Sequence, residues 1–119
     1  MRKIHSHKIN PANDRIDISV MDETGPGGAN HYYAVDVDGT ENGVDLHFQN
    51  GAINEVGVNG VTHEVLIAIV IDRLQAFQNG PYACRENALA LTKLEEAQHW
   101  LHHRTLARMQ RGVEGTMAK

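Results

Sequence analysis

The chain has 119 residues, which fits one domain, and its single cysteine, Cys84, excludes a disulfide framework within the chain. The net charge of −4 is uneven, because residues 1–72 carry −7 (four Lys/Arg against eleven Asp/Glu) and residues 73–119 carry +3 (seven against four). This asymmetry indicates either a local anion site or an ordinary solvated surface with uneven charge, and it argues against a general nucleic-acid binder, whose surface is usually basic throughout. The lone cysteine favours a reducing compartment such as the cytoplasm. The longest apolar run, Val65–Ile71, is too short to span a membrane.

Three stretches of the N-terminal half alternate apolar with polar residues. The apolar members are Ile16, Ile18 and Val20, then Tyr33, Val35 and Val37, then Val44, Leu46 and Phe48. A period of two predicts half-buried antiparallel strands. Asn50-Gly51 predicts a β-hairpin between Val44–Gln49 and Ala52–Val58, because Asn-Gly favours turns with positive φ at both central residues. We expect a further edge strand over Ile4–Ile9.

The C-terminal half predicts two helices joined by a short turn. The first runs from about His63 to Gln78, with Thr62 as its N-cap, and its run Val65–Ile71 is apolar all round and expected to be buried on most sides. Asn79-Gly80-Pro81 ends this helix. The second helix, from about Arg85 to about Gln110, contains neither Gly nor Pro. The short connection predicts antiparallel packing of the two helices.

Together these elements predict a single α+β domain over residues 1–119. An N-terminal antiparallel β-sheet over 1–60 is followed by a C-terminal antiparallel two-helix hairpin over 61–119. The chain has only one Trp, two Phe and three Tyr, which predicts a thin core. Association with a second copy is therefore expected.

Basic and aromatic residues recur along the second predicted helix at spacings of three and four, which places them near one face. The members of this stripe are Lys93, Ala97, Trp100, Arg104, Arg108 and Arg111. The planar fork of arginine pairs with phosphate oxygens and also stacks on a base. The stripe is therefore either a surface for phosphate and nucleobase groups or an ordinary solvated helix face.

The connection between the helices, residues 77–87, is dense in functional groups. Phe77 and Tyr82 can stack on a base, and Asn87 offers one acceptor and two donors that can read a base edge. Arg85 can meet a phosphate near the positive end of the second helix. Alternatively, Phe77 staples the hairpin and Asn87 helps to cap the helix.

Metal binding and catalysis find little support in the sequence. His99, His102 and His103 have a spacing that can bind zinc, but no cysteine or nearby carboxylate on that face completes the set. Cys84 lies near a helix N-terminus without a committed base, and no hydrolase, P-loop or zinc-protease motif is present. We predict a protein that is not an enzyme and has no cofactor, no metal and no catalytic residues.

The stretch from Phe77 to Thr92, FQNGPYACRENALALT, resembles the helical hairpin of the first-described Thoeris anti-defence family of phage sponge proteins, a hairpin shared with the anti-CBASS sponge family. The likeness continues through Trp100-Leu101, Arg104-Thr105, Arg108 and the RGVEGT segment at 111–116. The segments FQNG at 48–51 and VGVNG at 56–60 are similar too. The resemblance covers about residues 48–116, whereas the first 45 residues share only a β-rich character.

The resemblance implies a protein that sequesters glycocyclic ADP-ribose isomers, the signals of Thoeris immunity, in the host bacterial cytoplasm without cleaving them. It implies pockets at a homodimer interface between sheet and helices, and some members form hexamers (trimers of dimers) that also hold the cyclic trinucleotides of CBASS. It assigns ligand binding to Phe77 and Arg104 on the adenine, Asn87 on its polar edge, and Arg85 and Arg108 on the phosphates. A membrane or a nucleic-acid polymer is not among the implied partners.

Two other functions are compatible with the residues. One is a phosphodiesterase that degrades such signals with His99, His102 and His103. The other is a nucleic-acid-binding phage accessory protein that uses the arginine stripe, with the salt-dependent affinity typical of phosphate contacts.

Overall fold

The computed structural model of the protein describes residues 1–119. The chain forms two compact units, a sheet unit that ends at Val61 and a hairpin unit that begins at Thr62. The sheet unit contains β1 (Arg2–Ile4), α1 (Pro11–Asp14), β2 (Ile16–Val20), β3 (Tyr32–Val37), β4 (Val44–His47) and α2 (Ile53–Val56). The hairpin unit contains α3 (His63–Gln78) and α4 (Arg85–Gln110). The predicted α+β fold is confirmed.

The four strands form an antiparallel meander in the order β1-β2-β3-β4. Val20 lies opposite Tyr33, which in turn lies opposite Leu46, and Ile18 lies opposite Val35. Because side chains alternate between the two faces of a sheet, these apolar residues share one face. Val20 is the most buried of them, with 1% of its surface exposed.

The predicted edge strand is displaced toward the N-terminus. Strand β1 ends at Ile4, and the chain then turns, with the amide of Lys8 donating to the carbonyl of His5 at 2.9 Å. Asn10 next caps α1 by accepting from the amide of Asn13 at 2.9 Å. The prediction of a strand over Ile4–Ile9 is therefore wrong, because a turn and a helix cap supply the hydrogen bonds that a strand would otherwise need.

The predicted hairpin at Asn50-Gly51 is also wrong. Gly51 has the expected positive φ of 100°, but the following residues do not return alongside β4. Residues Ile53–Val56 form the short helix α2, and the chain comes back only at Val61, as an isolated parallel bridge with Phe48. A Cβ atom on Gly60 would lie 2.4 Å from the carbonyl carbon of Phe48, so only glycine allows this approach.

Amide side chains close this loop where a strand ladder was predicted. The side chain of Asn59 accepts from the amide of Asn50 and donates to its carbonyl, both at 2.8 Å. Gln49 accepts from the amide of Asn59 at 3.0 Å and donates to the carbonyl of Gly57 at 2.8 Å. Asparagine and glutamine can act in this way because each carries both a donor and an acceptor.

The two helices of the hairpin begin and end where the sequence predicts. Thr62 caps α3, its hydroxyl accepting from the amide of Val65 at 3.4 Å. Cys84 caps α4, with its sulfur accepting from the amide of Asn87 at 3.4 Å. None of the helices contains an apolar stretch that could span a bilayer.

The expectation that Val65–Ile71 is buried on most sides is wrong for a single copy of the chain. Ile71 is buried, but Val65, Ile69 and Val70 leave 44%, 60% and 45% of their surfaces exposed. The physical reason is that a two-helix hairpin covers only the side of α3 that faces α4. An apolar strip therefore remains open to solvent on α3.

Asp22 fixes the loop that joins β2 to β3. Its carboxylate oxygens accept from the backbone amides of His31 at 2.9 Å and Tyr32 at 3.2 Å, and Asn30 donates to its carbonyl at 2.8 Å. The hydrogen bond from the His31 amide, followed by that from Tyr32, lowers the pKa of Asp22 below its ordinary value. The ionised form is therefore favoured in the folded protein.

We expect Asp22→Asn to lower the melting temperature at pH 7, because an amide presents only one acceptor to two donors. Since the pKa of Asp22 is depressed by folding, its stabilisation is fully present above about pH 4 and is lost as the pH falls through the folded-state pKa. The difference in melting temperature between wild type and variant, measured by circular dichroism, should become smaller from pH 7 to pH 3. Asp45→Asn, at an exposed position on β4 opposite Ala34, is the control. A difference that is constant with pH contradicts this account.

Candidate functional site

The turn between α3 and α4 is held by one glutamine. The side-chain oxygen of Gln78 accepts from the amide of Cys84, and its side-chain nitrogen donates to the carbonyl of Cys84, both at 3.1 Å. This pair joins the last residue of α3 to the residue that caps α4. The first turn of α4 is thereby fixed relative to Phe77, which lies next to Gln78.

Phe77 is half-buried on the last turn of α3, between a tyrosine and an arginine. Its ring makes an edge contact with Tyr82, with centroids 5.9 Å apart and planes at 83°. The guanidinium carbon of Arg73 lies 4.9 Å from the centre of the Phe77 ring. The predicted stacking residue is therefore part of a cluster of two aromatic rings and one cation.

Asn87 and Arg85 both lie on the first turn of α4, and Asn87 contacts Tyr82 of this cluster. The Asn87 side chain donates to the carbonyl of Tyr82 at 3.4 Å, which leaves its side-chain oxygen and a second N–H for another group. Arg85 is exposed and forms no ion pair. The helix N-terminus carries a partial positive charge, which adds to that of Arg85. Phe77, Arg85 and Asn87, called the hinge group below, thus combine an aromatic ring, a cation and an amide.

Arg104 lies near the opposite end of α4. At roughly 1.5 Å per residue, it is about 28 Å from Arg85 along the helix axis. It is exposed, forms no ion pair, and follows Trp100 by one turn. The structure therefore places Phe77, Arg85 and Asn87 at the same end of the hairpin, where Tyr82 links Phe77 to Asn87, and it places Arg104 far from them within one chain.

Arg108 is in a different state from the other predicted site residues. Only 6% of its surface is exposed, and its Nε donates to the Glu114 carboxylate at 3.0 Å. Its terminal nitrogens donate to the carbonyls of Val113 at 3.0 Å, Thr116 at 3.1 Å and Ala118. The C-terminal segment, residues 113–118, is thus wrapped around the guanidinium group. Sequence spacing places Arg108 on the stripe but gives no sign of this network.

Trp100 is 60% exposed on the stripe and is flanked by two histidines. Its ring lies 5.5 Å from that of His99 and 5.8 Å from that of His103, with both pairs steeply inclined. No group of three or more His, Cys, Asp or Glu side chains is placed to hold a metal ion. The structure thus associates these histidines with the tryptophan.

Sequence reasoning did not single out Arg73, which contacts Phe77, or Gln78, which holds the turn. The signal for Arg73 was present, because it precedes Phe77 by four residues and so lies on the same side of α3. The signal for Gln78 was weak, since a glutamine at a helix end has many possible partners.

The protein is an α+β helical-hairpin protein. Its antiparallel sheet is followed by a long helical hairpin that carries arginines and aromatic rings. Residues 40–106, more than half of the chain, match the family model described as Acb2/Tad1, hairpin domain. The chain belongs to this family, and the family prediction made from the sequence is confirmed. Over 74 residues it is 61% identical to "Thoeris anti-defense 1" of Bacillus phage SBSphiJ7. The match covers 62% of this chain and 52% of that relative, so the chain spans about half the relative's length.

We expect Arg108→Met to release the C-terminal segment, because it removes the donors that hold Glu114 and three carbonyl groups. The free energy of unfolding should fall by about 1.5–3 kcal/mol, the range for a hydrogen bond to a charged group. Amide hydrogen exchange at residues 113–118 should accelerate. Arg104→Met, the same change one turn earlier on the exposed surface, should alter neither quantity. Unchanged exchange in Arg108→Met would mean that the segment is held by other contacts.

Proposed function

We propose that this chain is a phage anti-defence protein that binds glycocyclic ADP-ribose signals and sequesters them without cleavage. Its membership of the Acb2/Tad1 hairpin family and its likeness to a protein named "Thoeris anti-defense 1" support an anti-defence role. The structural observation that carries the proposal is the hinge group. It presents an aromatic ring, an amide and a cation on neighbouring turns, which suits a ligand with a base and phosphates.

The hinge group matches the chemistry of an adenine nucleotide. The Phe77 ring offers an apolar surface for the base, and Asn87 retains an acceptor and a donor for its polar edge. Arg85 has no carboxylate partner, so its charge is available to a phosphate. In the proposed complex Phe77 and Asn87 contact the base and Arg85 contacts a phosphate.

Arg104 joins this ligand from a second copy of the chain. The two ends of α4 are too far apart for one nucleotide to touch both the hinge group and Arg104 of the same chain. Two copies arranged with opposite directions bring the Arg104 of one to the hinge group of the other. The exposed apolar strip of Val65, Ile69 and Val70 supports such an association, since burial of apolar surface favours it. We propose a homodimer as the binding unit.

Arg108, unlike the other proposed site residues, must give up existing hydrogen bonds before it can bind the ligand. Its guanidinium already holds the Glu114 carboxylate and the carbonyls of the C-terminal segment. A ligand phosphate can pair with Arg108 only by replacing some of these acceptors. We propose that Glu114 occupies the position of a phosphate in the unliganded chain and is exchanged for it on binding.

Sequestration requires tight binding and no turnover. A signal molecule that acts at low concentration is neutralised by a protein with a dissociation constant near the nanomolar range, which corresponds to about −12 kcal/mol. Groups that are already held in place favour such affinity, because little must be ordered when the ligand binds. Two features provide this order at the hinge. Gln78 forms two hydrogen bonds with the backbone of Cys84, and Cys84 caps the first turn of α4.

Titration calorimetry with the 2′- and 3′-linked glycocyclic ADP-ribose isomers and a cyclic triadenylate tests the function. We expect tight binding of at least one isomer, and chromatography after heat release should recover the ligand unaltered. Recovery of an altered ligand would instead establish a phosphodiesterase. Binding to RNA or DNA that weakens steeply with salt, without binding of the isomers, would establish a nucleic-acid-binding protein. Heat from the triadenylate would extend the ligand range to cyclic trinucleotides.

Mixing two inactive variants tests whether two copies build the site. Asn87→Ala damages the hinge group and Arg104→Ala damages the distant arginine, so each variant alone should lose most of its binding. After co-refolding in equal amounts, about half of the dimers should be mixed, and each mixed dimer should contain one intact site of two. Binding should therefore return at up to about a quarter of all sites. A site formed within one chain predicts no recovery. A mixture of Asn87→Ala with Phe77→Ala, both in the hinge group, is the matched control and should stay inactive.

A further inference from the structure

Arg73 lies on the penultimate turn of α3, four residues before Phe77. The guanidinium carbon of Arg73 is 4.9 Å from the Phe77 ring centre, within the roughly 6 Å over which a cation is attracted to an aromatic face. The spacing of four residues places both side chains on the same side of the helix. The contact is therefore built into a single rigid element.

The charge of Arg73 has no other partner in the protein. The three ion pairs of the structure join Lys8 to Asp17, Lys93 to Glu96 and Arg108 to Glu114. Arg73 donates no hydrogen bond either, unlike Arg2, Arg15, Arg108 and Arg111. Its contact with Phe77 is thus the interaction that defines where the guanidinium lies.

The Phe77 ring has contacts on two sides. Arg73 lies over the ring, and Tyr82 meets it at a steep angle. Tyr82 itself is 71% exposed, and it is tied to α4 through the hydrogen bond from Asn87 to its carbonyl. Loss of Arg73 would remove the cation over the ring and leave the edge contact with Tyr82.

We propose that Arg73 is a positioning residue that acts through Phe77, holding its ring in the orientation that stacks on a nucleobase. This inference rests on the function proposed above and adds one residue to the hinge group. A ring that is already oriented loses less conformational freedom when the ligand binds, so affinity rises without a new contact to the ligand. Arg73 therefore influences the base-recognition part of the site.

A double-mutant cycle between Arg73 and Phe77, read by calorimetry with the tightest-binding glycocyclic ADP-ribose isomer, tests this role. Arg73→Gln should weaken binding about two- to fivefold, the effect of one exposed cation–aromatic contact. Arg73→Lys should weaken it less, because an ammonium group retains part of that attraction. In a Phe77→Leu background, Arg73→Gln should have no further effect, since the ring through which it acts is gone.

The ring signals of Phe77 provide a reading that does not depend on the ligand. In the free protein, Arg73→Gln should shift the aromatic proton resonances of Phe77, whereas Arg2→Gln, which removes an exposed arginine of β1, should leave them unchanged. The melting temperature should stay close to that of wild type, so that a loss of affinity is not a loss of folding.

The outcomes separate this inference from the proposed function. An equal loss of affinity in the wild-type and Phe77→Leu backgrounds would overturn it, because Arg73 would then contact the ligand itself. Wild-type binding that Arg73→Gln leaves unchanged would also overturn it, while the proposed function would stand. No binding of any isomer by the wild type would contradict the proposed function, and the Phe77 resonances would still decide whether Arg73 orients the ring.

Discussion

The length of α4 is the constraint on which the functional arrangement depends. An α-helix advances by a fixed rise per residue, so residues Arg85–Gln110 form a rod of about 39 Å. Groups at its two ends cannot approach each other without breaking the helix, and neither Gly nor Pro interrupts it. Whatever binds to both the hinge group and Arg104 must therefore meet more than one chain, and oligomerisation becomes part of recognition in the proposed function.

In the loops of this protein, side-chain amides and carboxylates form the hydrogen bonds to backbone groups that other backbone groups form in helices and strands. Gln78 closes the turn between the helices, Asn59 and Gln49 close the loop after β4, and Asp22 closes the loop after β2. Each binds backbone groups that have no partner in a helix or strand and so fixes the geometry of the segment. A chain with few large aromatic residues can hold defined loops in this way. The fixed geometry of the hinge depends on such hydrogen bonds, because Gln78 joins the end of α3 to the start of α4.

How far the sequence predicts the structure depends on whether the signal is local. The bounds of α3 and α4 follow from caps and breakers within a few residues, and the strand pattern follows from alternation, so these were predicted. The loop after β4 was not, because its geometry comes from amide pairs between residues such as Asn50 and Asn59, which no periodicity reveals. The exposure of Ile69 was missed for a related reason, since an apolar run predicts a surface that avoids water but does not say whether the same chain covers it.

The same distinction applies to the arginines of the candidate site, which look alike in sequence and differ in structure. Arg85 and Arg104 are exposed and free of carboxylates, whereas Arg108 is buried and bonded to the chain itself. An exposed arginine pairs weakly with a phosphate in water, because the dielectric constant is high and salt screens the charge. In the proposed dimer the apolar strip on α3 loses its water, and where a partner chain also excludes water from the arginines, each phosphate contact becomes stronger. Assembly and ligand binding are then two effects of the same burial, so that the two copies that complete the site also supply the environment in which its charges bind tightly.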